Sequence, residues 1–110
     1  MRAFFKIADA WGISSADAAT LLGVSTKTVS RWEFKVETLS RDTRERVGYV
    51  LGIYGCLCSI FDSADSANTW IHAENADFGG ASPLSRMLAG NVGDLFTTFT
   101  YVNNWLNGIW

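Results

Sequence analysis

Cysteine, histidine and proline are almost absent from this sequence, and so is any long apolar run. The two cysteines, Cys56 and Cys58, stand two apart; on a helix they point to different sides, where they neither bridge nor share a metal easily. The one histidine, His72, is fourteen residues beyond Cys58, and a zinc site needs more ligands than these three. A disulfide framework and a metal site are thereby excluded, and both thiols are expected to be reduced and buried. His72 also lacks a partner for a catalytic triad. The paired Gly79-Gly80 follows no strand and precedes no lysine, so it is no phosphate loop. Acids such as Asp62 and Asp65 are explained by capping, and neither an enzyme nor a cofactor is expected.

The longest uncharged stretch before the C-terminal segment, residues 47–61, has fifteen residues. That is short of the about 18–20 needed to cross a bilayer. No secretory signal is apparent either, because Lys6 and Asp9 break the opening apolar stretch. A cytoplasmic protein without a membrane segment is the expectation.

What the chain does have is 48% apolar residues with a single proline among 110, enough for one core built from helices. Phe4, Ile7, Ala8 and Trp11 recur at helical spacing up to Gly12. Ser14 with Asp17 three residues on resembles a capping box and opens a second helix, which Gly23 stops. Ser25 caps a third, from Thr26 to about Phe34. Ser40 caps a long fourth, from Arg41 to about Phe61, with a stripe of Val47, Val50, Leu51, Tyr54, Leu57, Cys58 and Phe61. Gly48, Gly52 and Gly55 interrupt this helix, and the close approach of another helix is the expected compensation. Residues 62–68 read as a polar turn, 68–73 as a short helix with Trp70 and Ile71 inward, and 75–81 as a loop. Ser82 caps a helix with Pro83 at its first position, Gly90 ends it, and a last helix runs over 92–107. The expected class is all-α: a helix-turn-helix bundle over 1–39, a connecting helix and turn over 40–66, and a small helical domain over 67–110.

Residues 15–32, SADAATLLGVSTKTVSRW, carry the spacing of a helix-turn-helix. Ala19 is small where two helices cross, Gly23 takes the turn, and Ala18, Leu22, Val24, Val29 and Trp32 lock the helices together. The remainder of the third helix is polar. Ser25, Thr26, Lys27, Thr28, Ser30 and Arg31 are the candidate DNA contacts, with Lys27 and Arg31 four apart on one face. Charge supports this placement: residues 1–50 hold eight Lys/Arg against six Asp/Glu, whereas residues 51–110 hold one, Arg86, against five. Lys35, Arg41, Arg44 and Arg46 are candidates for further phosphate contacts. Dimers match palindromic sites, so a homodimer is expected, through the glycine-lined fourth helix or the C-terminal domain.

The C-terminal half has a different character. Its last sixteen residues carry no charge. Val92, Leu95, Phe96, Phe99, Val102 and Leu106 fall in a stripe of ~120°, with Asn103 among them and Tyr101 and Trp105 on the opposite side. Aromatics left over from a core face suit a protein partner.

The order of long helix, then Ala67-Asn68-Thr69-Trp70-Ile71, Asn75, Gly79-Gly80-Ala81-Ser82-Pro83-Leu84, Gly93 and a closing Val102 to Asn107-Gly108 resembles the Xre/MbcA/ParS-type antitoxins. In that family a toxin-binding domain follows a helix-turn-helix. The chain departs from it at Ala81, where a basic residue is common. The resemblance implies an antitoxin of a type II toxin–antitoxin system. Its partner would be a RES-domain toxin that consumes NAD or transfers ADP-ribose, its operator DNA would lie at its own operon, and it would hold no NAD itself. The segment blocking the toxin would include Tyr101, Trp105, Gly108, Ile109 and Trp110, with Trp70 and the 79–84 loop next in line. The alternative is a stand-alone repressor whose C-terminal half only dimerises.

Overall fold

The structure, a computed structural model, describes residues 1–108. Those residues form seven α-helices and no strand: α1 Arg2–Trp11, α2 Ser15–Leu22, α3 Thr26–Trp32, α4 Arg41–Ile60, α5 Ala64–His72, α6 Pro83–Met87 and α7 Val92–Leu106. A single 3-10 turn, Ala76–Phe78, sits between α5 and α6. None of these helices is long and apolar enough to cross a membrane.

Local chemistry sets most of the helix ends. The side chains of Ser14, Ser25, Ser40 and Ser82 each accept a hydrogen bond from the backbone N–H three residues on, at 3.0–3.2 Å. Gly12 and Gly23 close α1 and α2 in the left-handed region, at φ 67° and 70°, where a residue with a Cβ is strained.

Ser63 does the same work, accepting from the Ser66 N–H at 3.1 Å. Helix α5 therefore starts at Ala64, inside the stretch expected to be a turn. Its first turn is polar because it faces solvent, and burial begins only at Ala67 and Ile71. Helix α3 stops two residues earlier than the spacing suggests, at Trp32.

One apolar cluster runs from Phe4 in α1 to Val102 in α7, with α4 at its axis. Helix α4 packs against α1, α2, α5 and α7. Along α4 and α7 the contacts rise together, Tyr49 with Phe96 and Phe61 with Trp105, so the two helices run side by side in the same direction. Trp11 meets Tyr54 on the opposite flank. His72 Nε2 donates to the Trp11 carbonyl oxygen at 2.7 Å, tying α5 to α1.

The buried face of α4 is Thr43, Arg46, Val50, Ile53, Cys56 and Leu57. Leu51 and Cys58, assigned to the core stripe from the sequence, are exposed, and Ile53 takes their place. With neighbours on several sides, the covered arc is wider than one stripe and centred differently. Of the two thiols only Cys56 is buried, which pushes its pKa up.

Only one of the three glycines of α4 faces a close neighbour. A Cβ at Gly52 would lie 2.6 Å from Phe99 Cε1, whereas Gly48 and Gly55 have nothing within 4 Å. Gly52→Ala should therefore cost ~1–3 kcal/mol by overpacking. Gly48→Ala and Gly55→Ala should each stabilise by up to ~1 kcal/mol. Urea denaturation of the three variants checks this, and equal effects at all three positions would contradict it.

Candidate functional site

The outer face of α3 is assembled from its cap upward. Ser25 Oγ accepts from the Thr28 N–H at 3.2 Å and lies 3.0 Å from Thr28 Oγ1. These two candidate residues therefore also build the start of the helix. Val29 and Trp32 are buried beneath it. Ser25, Thr26, Lys27, Ser30 and Arg31 are exposed and Thr28 is half-buried, so five of the six candidates are open to solvent.

Arg31 is engaged: its Nε donates to Glu37 Oε1 at 2.8 Å, with both side chains 55% exposed. An exposed pair of this kind is worth only ~0.2–1 kcal/mol. The Arg31 guanidinium can therefore leave Glu37 at little cost. Glu37 was not anticipated from sequence, since it lies in a loop where spacing carries no geometric meaning.

Arg46 is not a phosphate contact. Its residue is 9% exposed. Its Nε donates to Asp42 Oδ2 at 2.9 Å, and its Nη1 to the carbonyl oxygens of Thr20 at 3.4 Å and Gly90 at 3.1 Å. The guanidinium thus joins the C-terminal end of α2, the body of α4 and the link between α6 and α7. It packs over Gly23, where a Cβ would come within 2.8 Å of Nε. Arg44 donates to the Leu39 carbonyl oxygen at 2.9 Å, and Arg41 lies 3.9 Å from Glu45; both remain exposed beside Lys35.

The C-terminal aromatics are arranged differently from the expected two-sided helix. The buried face of α7 is Leu95, Thr98 and Val102, and Phe96 and Leu106 are 53% and 43% exposed. Tyr101 and Trp105 do not project away from the protein. Trp70 of α5 stacks on Tyr101 at 6.0 Å and 22°, and Phe78 of the 3-10 turn meets the same ring at 5.0 Å. Trp105 lies between Trp70 and Phe61, at 5.7 and 5.6 Å.

Tyr101 also donates its hydroxyl to Asp77 Oδ2 at 2.7 Å. Its pKa is raised, first by burial and then by that carboxylate. Both Tyr101 and Trp105 stay half-buried, and Leu106, Asn107 and Gly108 at the end of the helix are exposed. Asn103 sits half-buried at the rim of the covered face, where its side chain needs no interior partner. Gly108 turns the chain at φ 66°. Ile109 and Trp110 lie outside the described residues.

The loop before α6 is internally braced. Asn75 N–H donates to the Ala81 carbonyl oxygen at 3.1 Å, and Gly80 N–H to that of Asn75 at 3.0 Å. Past it, Arg86 Nε donates to Asp94 Oδ1 at 2.7 Å. This bond holds the Asp94 carboxyl below its ordinary value of 3.8. No group of three or more His, Cys, Asp or Glu able to hold a metal occurs among the described residues.

Residues 1–52 match the antitoxin Xre-like helix-turn-helix domain. Over 104 residues the chain is 38% identical to the uncharacterized protein y4oB of Sinorhizobium fredii, a match spanning 94% of this chain and 81% of that protein. One chain of the crystal structure of the M. tuberculosis MbcT–MbcA toxin–antitoxin complex has the same fold, with a TM-score of 0.64 at 15% identity. The alignment covers 97% of this chain and 93% of that one.

The Arg86–Asp94 pair gives a signed pH dependence. Because the folded pKa of Asp94 is depressed, its contribution to stability is present above the unfolded value and is lost as pH falls through the folded one. Arg86→Gln should therefore be less stable than the parent at pH 7. The gap should narrow as pH drops below 3.8, the ordinary value of the carboxyl. Thermal melts of both proteins from pH 7 to pH 2.5 check this, and a gap that does not change with pH would contradict it.

Proposed function

The chain belongs to the Xre-like antitoxin family, and on that premise we propose that it neutralises a RES-domain toxin with its C-terminal end and represses its own operon through α3. An antitoxin acts by binding, so the chain is not an enzyme. The observation that carries the proposal is the division of labour along the chain. The match to the antitoxin Xre-like helix-turn-helix domain spans residues 1–52. The other half has no second recognition helix, carries one basic residue against five acids and ends in an aromatic, uncharged helix.

In this reading Thr26, Lys27, Ser30 and Arg31 meet DNA in the major groove, with Ser25 and Thr28 fixing the helix start. Two copies pair to read a palindromic operator in the cytoplasm. The functional division is a reader over 1–39, a connecting segment over 40–66 and a toxin-binding part over 67–110.

The toxin contact is the apolar end formed by the edges of Tyr101 and Trp105, by Gly108 and by the following Ile109 and Trp110. This end covers the NAD cleft of a toxin that degrades NAD or transfers ADP-ribose from it. Trp70 supports it from beneath. Tyr101 and Trp105 need not be bare to serve. A platform already stacked on Trp70 and Phe78 loses little freedom on binding, which favours affinity.

The two activities should separate by mutation. Lys27→Ala/Arg31→Ala should weaken binding to the upstream promoter fragment, by ~1–3 kcal/mol for each side chain that reads a base, and leave toxin protection intact. Removing residues 108–110 should do the reverse. Gel-shift titration, with growth and cellular NAD in cells expressing the neighbouring toxin gene, reads both. A full-length protein that gives neither protection nor a co-purifying partner would overturn the antitoxin mechanism. A double variant that binds the promoter as tightly as the parent would overturn the reader.

A further inference from the structure

The surface beside the recognition helix has a feature that reading DNA does not require. The chain turns immediately after α3, and at that turn Phe34 is 92% exposed, with Val36 44% exposed two residues on. No other residue among the described large hydrophobics is so bare. A phenylalanine in water costs solubility and contributes nothing to this fold.

Next to it, between α1 and the turn, lies a groove of about 570 Å³ with Phe5, Trp32, Phe34 and Val36 on its walls and four charged residues, Arg2, Lys6, Asp9 and Glu33, among them. Trp32 is buried, yet its indole N–H finds no acceptor among the described residues. Such a donor normally has a partner. Arg2 and Lys6 on the α1 wall, and Glu33 on the turn, form no ion pair among the described residues.

We propose that this groove is the contact between two copies of the chain, each inserting Phe34 beside the Trp32 of the other. The inference rests on the dimer assumed above and assigns its surface. A knob and a hole on one patch are what a two-fold contact requires, since residue i of one copy then meets j of the other and j meets i. The charges suit the same operator: the groove of each copy carries Arg2 and Lys6 with Asp9 on α1 and Glu33 on the turn, so Glu33 of one copy can face Arg2 and Lys6 of its mate. A buried aromatic at the centre with a charged rim is the usual anatomy of such a contact. The position next to α3 would set two recognition helices side by side.

The competing surface is the open face of α4, where Leu51 is 38% exposed between Gly48 and Gly55. Gly48 and Gly55 have nothing near them, and Lys6 borders this face beside Leu51 and Gly55 as it borders the groove, but no side chain there is as bare as Phe34. Sedimentation equilibrium of the full chain without DNA separates the two. The parent should be a dimer, Phe34→Glu should raise the dimer dissociation constant by at least ~100-fold, and Leu51→Glu should leave it unchanged.

Lys6→Glu and Glu33→Lys should each weaken the dimer, and the two together should restore it, a result that loss of folding cannot imitate. A Phe34→Glu protein that stays dimeric while the parent is dimeric would overturn this surface and leave the dimer itself standing. Dissociation by Leu51→Glu alone would move the contact to α4. A parent that is monomeric throughout would overturn both the dimer and its assigned surface.

Discussion

One buried cation ties the two halves of this protein together. The Arg46 guanidinium presents five N–H donors and no acceptor, so it needs acceptors wherever it lies. It finds them on three segments far apart in sequence: Asp42 in its own helix, the Thr20 carbonyl at the end of α2 and the Gly90 carbonyl ahead of α7. The end of α2 carries the negative pole of the helix dipole, which a cation stabilises. Removing the guanidinium would leave the Gly90 oxygen without this donor and Asp42 without its partner. Asp42 is exposed and the Gly90 and Thr20 residues are half-buried, so water can take part of the guanidinium's place and each lost bond costs about 1 kcal/mol. Gly23 is part of the same arrangement, because any Cβ there would collide with the guanidinium.

From this junction the rest of the architecture follows. Helix α4 carries Thr43 as well, whose hydroxyl donates to the Leu22 carbonyl oxygen at 3.1 Å, so two polar side chains secure the reader to the long helix. Farther along, the same helix becomes apolar and receives α7, with Gly52 making room for Phe99. The helix-turn-helix and the C-terminal helices are thus parts of one core. In the proposed function, DNA and toxin are held by different faces of a single rigid body.

Local chemistry was legible in the sequence, and distant chemistry was not. Serine caps, positive-φ glycines and the packing residues of the helix-turn-helix announce themselves within four or five positions, so α1 to α4 and α6 to α7 were placed nearly as found. Ser63 was missed because its helix opens on polar residues with no apolar period to mark it. The burial of Arg46 depends on Thr20 and Gly90, and the cover over Tyr101 and Trp105 comes from Trp70 and Phe78. No spacing rule brings those residues together. The stripe assigned to α7 held at Leu95, Phe99 and Val102 and failed at Phe96 and Leu106, because a helix covered on two sides buries Thr98 and leaves Phe96 outside, against their polarity. The exposed face of α3 was fully visible, but the hold of Glu37 on Arg31 was not.

The central claim is that Arg46 makes the reader and the C-terminal half unfold as one unit. Native-state hydrogen exchange on the parent and on Arg46→Met tests it most directly, because amides of α2, α3 and α7 report separately. The account predicts that in the parent the slowest amides of all three helices share one opening free energy. In Arg46→Met the amides of α2 and α3 should open at lower free energy than those of α7. Three helices that remain locked together in the variant, or that already open separately in the parent, would contradict it.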